Sequence, residues 1–100
     1  MIHASVGVVA LAAVPGHAGL AVVHAAHSYK EMGQMKKSVE TVSNAIKLRD
    51  DIPQFYAFYA TLLDDMKRFR DAADMLTAAV SRFPDHAQLH FFLGSMHDRL

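Results

Sequence analysis

The 100-residue chain is 52% apolar and sets ten Lys and Arg against ten Asp and Glu. It therefore has the core of one small domain and lacks the basic excess that non-specific nucleic-acid binding requires. It has no cysteine, which excludes disulfides, thiolate catalysis and Cys-ligated zinc, and its five glycines, three prolines and 20% charged residues are not the composition of a disordered chain.

The charges are unevenly placed. No Asp, Glu, Lys or Arg occurs from Met1 to Tyr29, and all twenty lie between Lys30 and Arg99. The opening stretch 1–26 has two readings. As a secretory signal or membrane anchor it offers an apolar run and the small-residue pattern Val23-His24-Ala25. Against that, no Lys or Arg precedes the run, Pro15-Gly16 interrupts it, and His17 and His24 sit inside it. The reading adopted is two apolar helices broken at Val14-Pro15-Gly16, because the second half falls into the repeat phase of the rest of the chain.

That repeat has a period of 34 residues. Laying 19–52 on 53–86, and 53–66 on 87–100, brings Ala26, Ala60 and Gly94 together, with Met35 on Phe69, Val42 on Leu76, Ala45 on Ala79, Ile46 on Val80 and Asp51 on Asp85. The small residues at Ala26, Ala60 and Gly94 let a neighbouring helix approach closely, and Ala45 and Ala79 do the same on the following helix. Apolar spacing predicts a helix over 54–66 through Phe55, Tyr56, Phe58, Tyr59, Leu62, Leu63 and Met66, and a second over 69–80 through Phe69, Ala72, Ala73, Leu76, Ala79 and Val80. The Lys67-Arg68 link is short, so the two are antiparallel neighbours. Pro53 suits a first helical turn. Asp51-Ile52-Pro53-Gln54 and Asp85-His86-Ala87-Gln88 have the form of capping boxes, and Phe83-Pro84 ends the helix before the second.

With Tyr56, Tyr59-Ala60, Phe69, Ala72, Ala79 and Pro84 at their places, the unit 53–86 resembles the tetratricopeptide repeat, a 34-residue helix–turn–helix. The unit 19–52 keeps Ala26, Tyr29, Gly33, Ala45 and Ile46 but has Ser38 for an alanine and Asp50 for the proline. The resemblance covers 19–100: repeat 1 over 19–52, repeat 2 over 53–86, and the first helix of a third over 87–100. The stretch 1–18, with a helix over 5–14, stands as a partial preceding repeat. It implies an all-α fold, a right-handed α-solenoid of antiparallel helix pairs with about six helices. The last helix is rather apolar, with Leu89, Phe91, Phe92, Leu93 and Met96. Either the chain is a piece of a longer array, the preferred reading, or this end pairs with another copy.

In this family the first helix of each unit lines a concave groove for a peptide or partner helix. The resemblance carries that role to Leu20, Val23, His27, Lys30 and Glu31; to Gln54, Ala57, Thr61, Asp64 and Asp65; and to Gln88, Phe91, Ser95, Asp98 and Arg99. Phe91 is the expected apolar anchor. Asp64, Asp65 and Asp98 make part of the groove acidic, which favours a basic or amphipathic ligand. The Lys, Arg and Asn set with which one subclass grips a chaperone's carboxylate terminus is absent: Val23, His27, Ala57 and Thr61 stand there.

Seven histidines raise a metal reading, since His86 and His90 share a helix face at i, i+4 and His24 and His27 at i, i+3. It needs a converging third ligand such as Asp85. The alternative is packing: His24 as a half-buried ring bonded to backbone, and His90 and His97 where the family places aromatics facing a partner helix. No nucleophile motif, phosphate loop or HExxH occurs. Met32, Met35, Met66, Met75 and Met96 are core gap-fillers. The expectation is a non-enzymatic, cytoplasmic interaction scaffold without a cofactor, binding a protein or peptide and no nucleic acid. The alternatives are an exported or membrane-attached assembly factor using 1–26, and a histidine-based metal binder.

Overall fold

Left-handed backbone occurs at two places, 34 residues apart: Gly33 at φ 77° and Lys67 at φ 62°. Each closes a helix in the same way. The Gly33 N–H donates to Lys30 O at 3.0 Å and the Gln34 N–H to Tyr29 O at 2.8 Å; the Lys67 N–H donates to Asp64 O at 2.9 Å and the Arg68 N–H to Leu63 O at 2.8 Å. These are paired Schellman bonds, which satisfy the last carbonyls of one helix. The next residue's carbonyl starts the following helix, through Ser38 N–H to Gln34 O and Ala72 N–H to Arg68 O, both at 3.1 Å. One left-handed residue therefore turns the chain back on itself.

The computed structural model describes residues 18–100, and all regular structure among them is helical. The helices are α1 (Ala18–Glu31), α2 (Met35–Leu48), α3 (Pro53–Asp65), α4 (Phe69–Arg82) and α5 (Ala87–Arg99). The described count is thus five rather than the expected six. The helix expected over 5–14 and the Val14-Pro15-Gly16 break lie outside the described residues, as does most of 1–26. None of the described helices is long and apolar enough to cross a membrane. Pro53 opens α3, where its missing N–H costs no bond. The N-cap of α5 is His86, one residue later than the Asp85 box placed it, and its side chain makes no capping bond. Asp51 is held by Arg49, whose Nε and Nη2 donate to its two carboxylate oxygens at 3.0 and 3.1 Å. That bond raises the Arg49 guanidinium above its ordinary value, against the opposing effect of desolvation.

The chain forms two compact units, divided after Phe55 within α3. In the first, α1 and α2 pack on each other. Val22 and Ala26 of α1 are buried, as are Ser38, Thr41, Val42 and Ala45 of α2. Neither Ala26 nor Ser38 exposes any surface. The Ser38 hydroxyl donates to the Ala26 carbonyl at 2.7 Å, across the helix pair. Thr41 instead bonds back to Lys37 O in its own helix at 2.8 Å, which satisfies its hydroxyl locally. Lys37 reaches back over the Tyr29 ring, 5.8 Å from its centre.

The second unit, Tyr56–Leu100, has one core. Ala57, Ala60 and Leu63 of α3 close on Ala72, Ala73, Leu76 and Ala79 of α4 and on Leu89 and Met96 of α5. Tyr56, Tyr59, Met66, Phe69, Met75, Val80, Phe83, Phe92 and Leu93 pack around them, half-buried. Alanines at 57, 60, 72, 73 and 79 bring the backbones close, while Leu76 and Leu89, fully buried, each contribute roughly 1.5–3 kcal/mol. The ends of the helices fix their directions. Tyr56 at the start of α3 meets Phe83 at the end of α4, with ring centres 5.9 Å apart, and Arg99 at the end of α5 lies over Phe69 at the start of α4. So α4 runs against both, and α3 and α5 run the same way.

Two predictions follow from the turns and the crossing. Lys67→Gly removes the strain of a side chain at positive φ, a penalty of roughly 1–2 kcal/mol that exceeds the added freedom of the unfolded chain. It should stabilise the protein by roughly 0.5–1 kcal/mol in urea denaturation, whereas Gly33→Ala should destabilise it by a similar amount. Ser38→Ala should cost about 1 kcal/mol through loss of the buried bond to Ala26 O, and Ala26→Leu roughly 1–3 kcal/mol by forcing α1 and α2 apart.

Candidate functional site

The groove positions carried from the repeat phase fall into two groups, one in each unit. In the first unit, His27 and Glu31 are exposed on α1 and their side chains lie 3.5 Å apart, one turn from each other. Lys30 and Val23 are half-buried, and Leu20 and Gln54 are exposed. The His27–Glu31 pair lies in open solvent, where such a contact contributes about 0.3–0.5 kcal/mol or less.

In the second unit the equivalent positions of α3 and α5 come side by side. Thr61 and Ser95, 34 residues apart, are both half-buried. The Thr61 hydroxyl donates to Phe58 O at 2.6 Å, within its own helix. Asp65, Gln88, Phe91, Asp98 and Arg99 are exposed. Ala57 is not in the groove: it is 4% exposed and part of the core. The helix turns it inward beside Ala60, so a groove-facing role at 57 is corrected to a packing one.

Asp64 and Arg99 join the two helices. Nη1 of Arg99 lies 3.2 Å from Oδ1 of Asp64, which is closed off from solvent. The oxygen lacks the alignment of a hydrogen bond to any partner, yet the pair counts electrostatically, because Coulomb attraction at this distance does not depend on that alignment. The Arg99 guanidinium also lies over the Phe69 ring, 5.3 Å from its centre, within cation–π range. Asp64 is thus neutralised from within the unit, which corrects the expectation that it gives the groove an acidic character. The sequence signal for this pair was an opposite charge one repeat on and one residue out of phase: Asp64 maps to Asp98, and Arg99 follows it. Phe69, expected only as an aromatic after the turn, is the platform beneath Arg99. Phe91, 71% exposed, keeps one ring neighbour, Phe92, at 5.8 Å between centres.

The histidines are not gathered. Nε2 of His90 bonds Pro84 O at 2.8 Å, and Nδ1 of His86 is buried without a hydrogen-bond partner. His24, His90 and His97 are exposed, so the expected half-buried His24 and the helix-facing rings at 90 and 97 are corrected to surface positions. No group of three or more His, Asp or Glu that could hold a metal ion occurs among the described residues.

No protein-family model matches this sequence, and a comparison with curated proteins finds no match.

The Asp64–Arg99 contact can be checked by a double-mutant cycle with Asp64→Ala and Arg99→Ala. The pair is partly exposed, so a coupling of about 0.5–1 kcal/mol is expected at low salt, falling as salt is raised. Arg99→Lys, which keeps the charge but not the planar stacking on Phe69, should recover only part of the loss.

Proposed function

We propose that the chain is a non-enzymatic interaction module of the tetratricopeptide-repeat type, with helix pairs stacked in the right-handed sense that the resemblance implies. Its second unit takes up a peptide or a partner helix along α3 and α5. The observation that carries this reading is the pairing of equivalent positions on two helices running the same way. Thr61 and Ser95 stand half-buried on α3 and α5, and the Asp64–Arg99 contact ties the two helices together toward their C-terminal ends. Repeated small polar positions on adjacent helices offer hydrogen bonds along a track. Phe91, exposed on α5, offers an aromatic anchor, the kind of residue that dominates interface energetics.

With Asp64 already paired, the ligand is selected by shape, an apolar contact to Phe91 and neutral hydrogen bonds. Excess positive charge on the ligand matters less. The affinity of such a track comes from a few anchors and from the ordering cost of the ligand, not from total contact area.

The test is selection of peptides from a random displayed library on the immobilised full chain, followed by mapping of amide shifts on the labelled protein. The expected result is enrichment of aromatic-containing peptides, shifts centred on Thr61, Phe91 and Ser95, and at least about a tenfold loss of affinity in Thr61→Arg with Ser95→Arg while circular dichroism is unchanged. Absence of any enriched peptide, or shifts that avoid α3 and α5, would remove the reading.

A further inference from the structure

The outward face of α5 carries a pattern that α1 and α3 do not. Gly94 is exposed at its centre, and a methyl group built at its Cα would meet nothing within 4 Å. Ala26 and Ala60, its equivalents by phase, are buried. Around Gly94 the exposed side chains are arranged symmetrically in kind. His90 lies four residues before it and Asp98 four after; Phe91 lies three before and His97 three after. At helical spacing all five fall on one stripe. Asp98 makes no ion pair or hydrogen bond among the described residues.

We propose that this stripe is a self-complementary interface, occupied by α5 of a second copy of the chain lying antiparallel across a two-fold axis at Gly94. In that register each His90 faces Asp98 of the other copy, and each Phe91 faces His97 of the other copy. A two-fold interface requires this relation, in which residue i meets residue j and j meets i. The glycines meet at the axis, where the missing side chains let the two backbones approach closely and each Phe91 ring lies along the partner helix. The His90 ring is held in place by its Nε2 contact with Pro84 O. With that nitrogen as the donor to the carbonyl, Nδ1 is the atom left for the partner's carboxylate. The complementarity of charge decides the occupant: a parallel copy would set His90 against His90 and Asp98 against Asp98.

The contact is weak. A 13-residue helix is about 20 Å long, and one face of it gives an interface at the small end of the specific range. A dissociation constant on the order of 10–100 µM is expected. The inference goes beyond the peptide-binding reading and can fail separately from it, since Thr61 and Ser95 lie outside the stripe.

The test is sedimentation equilibrium of the full chain from about 5 to about 500 µM, with circular dichroism of every variant. The wild type should follow a monomer–dimer equilibrium. Gly94→Leu should be monomeric with its helicity intact, because the added side chain enters open space in the monomer. Asp98→Lys and His90→Asp should each weaken the dimer at least about tenfold, and the double variant, with its charges exchanged, should restore it. Thr61→Arg with Ser95→Arg should dimerise as the wild type does. A wild type that stays monomeric across the range would overturn the proposal. So would a dimer indifferent to Gly94→Leu, a double variant no better than its parents, or growth into open-ended larger species.

Discussion

The hydroxyl of Ser38 reaches the carbonyl of Ala26 at 2.7 Å, and that distance sets how the first helix pair is built. A serine side chain is short, so α2 must run almost against the backbone of α1 at this point. Any larger residue at 26 would hold the helices apart, break the bond and loosen Val22 and Val42, which depend on the same closeness. In the second unit the same approach is made with alanines at 60 and 72 and without a hydroxyl. Close packing of backbones, not large side chains, is therefore the common element, and the polar bond is an addition special to the first pair. The turns serve the same end. A connection with one left-handed residue gives the returning helix little freedom in where it starts, so the small residues meet.

Much of this was legible because two periods coincide in the sequence. A 34-residue repeat and a helical spacing of apolar residues place the same positions inward, and the paired helices over 19–52 and 53–86 and the helix over 87–100 stand where that coincidence put them. Gly33 also carried a visible signal, since glycine at a turn suits positive φ. Lys67 carried none. The left-handed conformation there is imposed by the helices on either side, and a lysine tolerates it at a cost that the sequence does not display. The start of α5 was misplaced by one residue for a related reason. Asp85 is a good capping residue, but the turn after Phe83-Pro84 brings His86 to the cap position instead.

The candidate site was less legible, because it depends on which face a position acquires. Phase equivalence put Ala57 beside Thr61 and Asp64, but on α3 the alanine turns into the core while the other two stay at its edge. Phase also made His90 and His97 helix-facing residues. Their counterparts on α1 and α3 are Val22, Tyr29, Tyr56 and Leu63, against which a following helix can pack. No helix follows α5 among the described residues, so the same positions are exposed there. A repeat fixes what a residue is equivalent to; its surroundings depend on which neighbours are present.

Charge shows the same limit. A count of acidic residues at groove positions suggests a surface for cations, since Asp64, Asp65 and Asp98 all belong to it. The count omits geometry. Oδ1 of Asp64 is closed off from solvent, and a carboxylate in that position is costly without a cation nearby. Arg99, from the neighbouring helix and stacked on Phe69, supplies it. The carboxylate that would contribute most to cation binding, because it is the most desolvated, is thus the one already spent on the fold. Asp65 and Asp98 are exposed, where water and salt screen them. A ligand that recognises this surface must then be selected by features that screening does not erase: the Phe91 ring, the polar pair Thr61 and Ser95, and the shape of the channel between two helices running the same way.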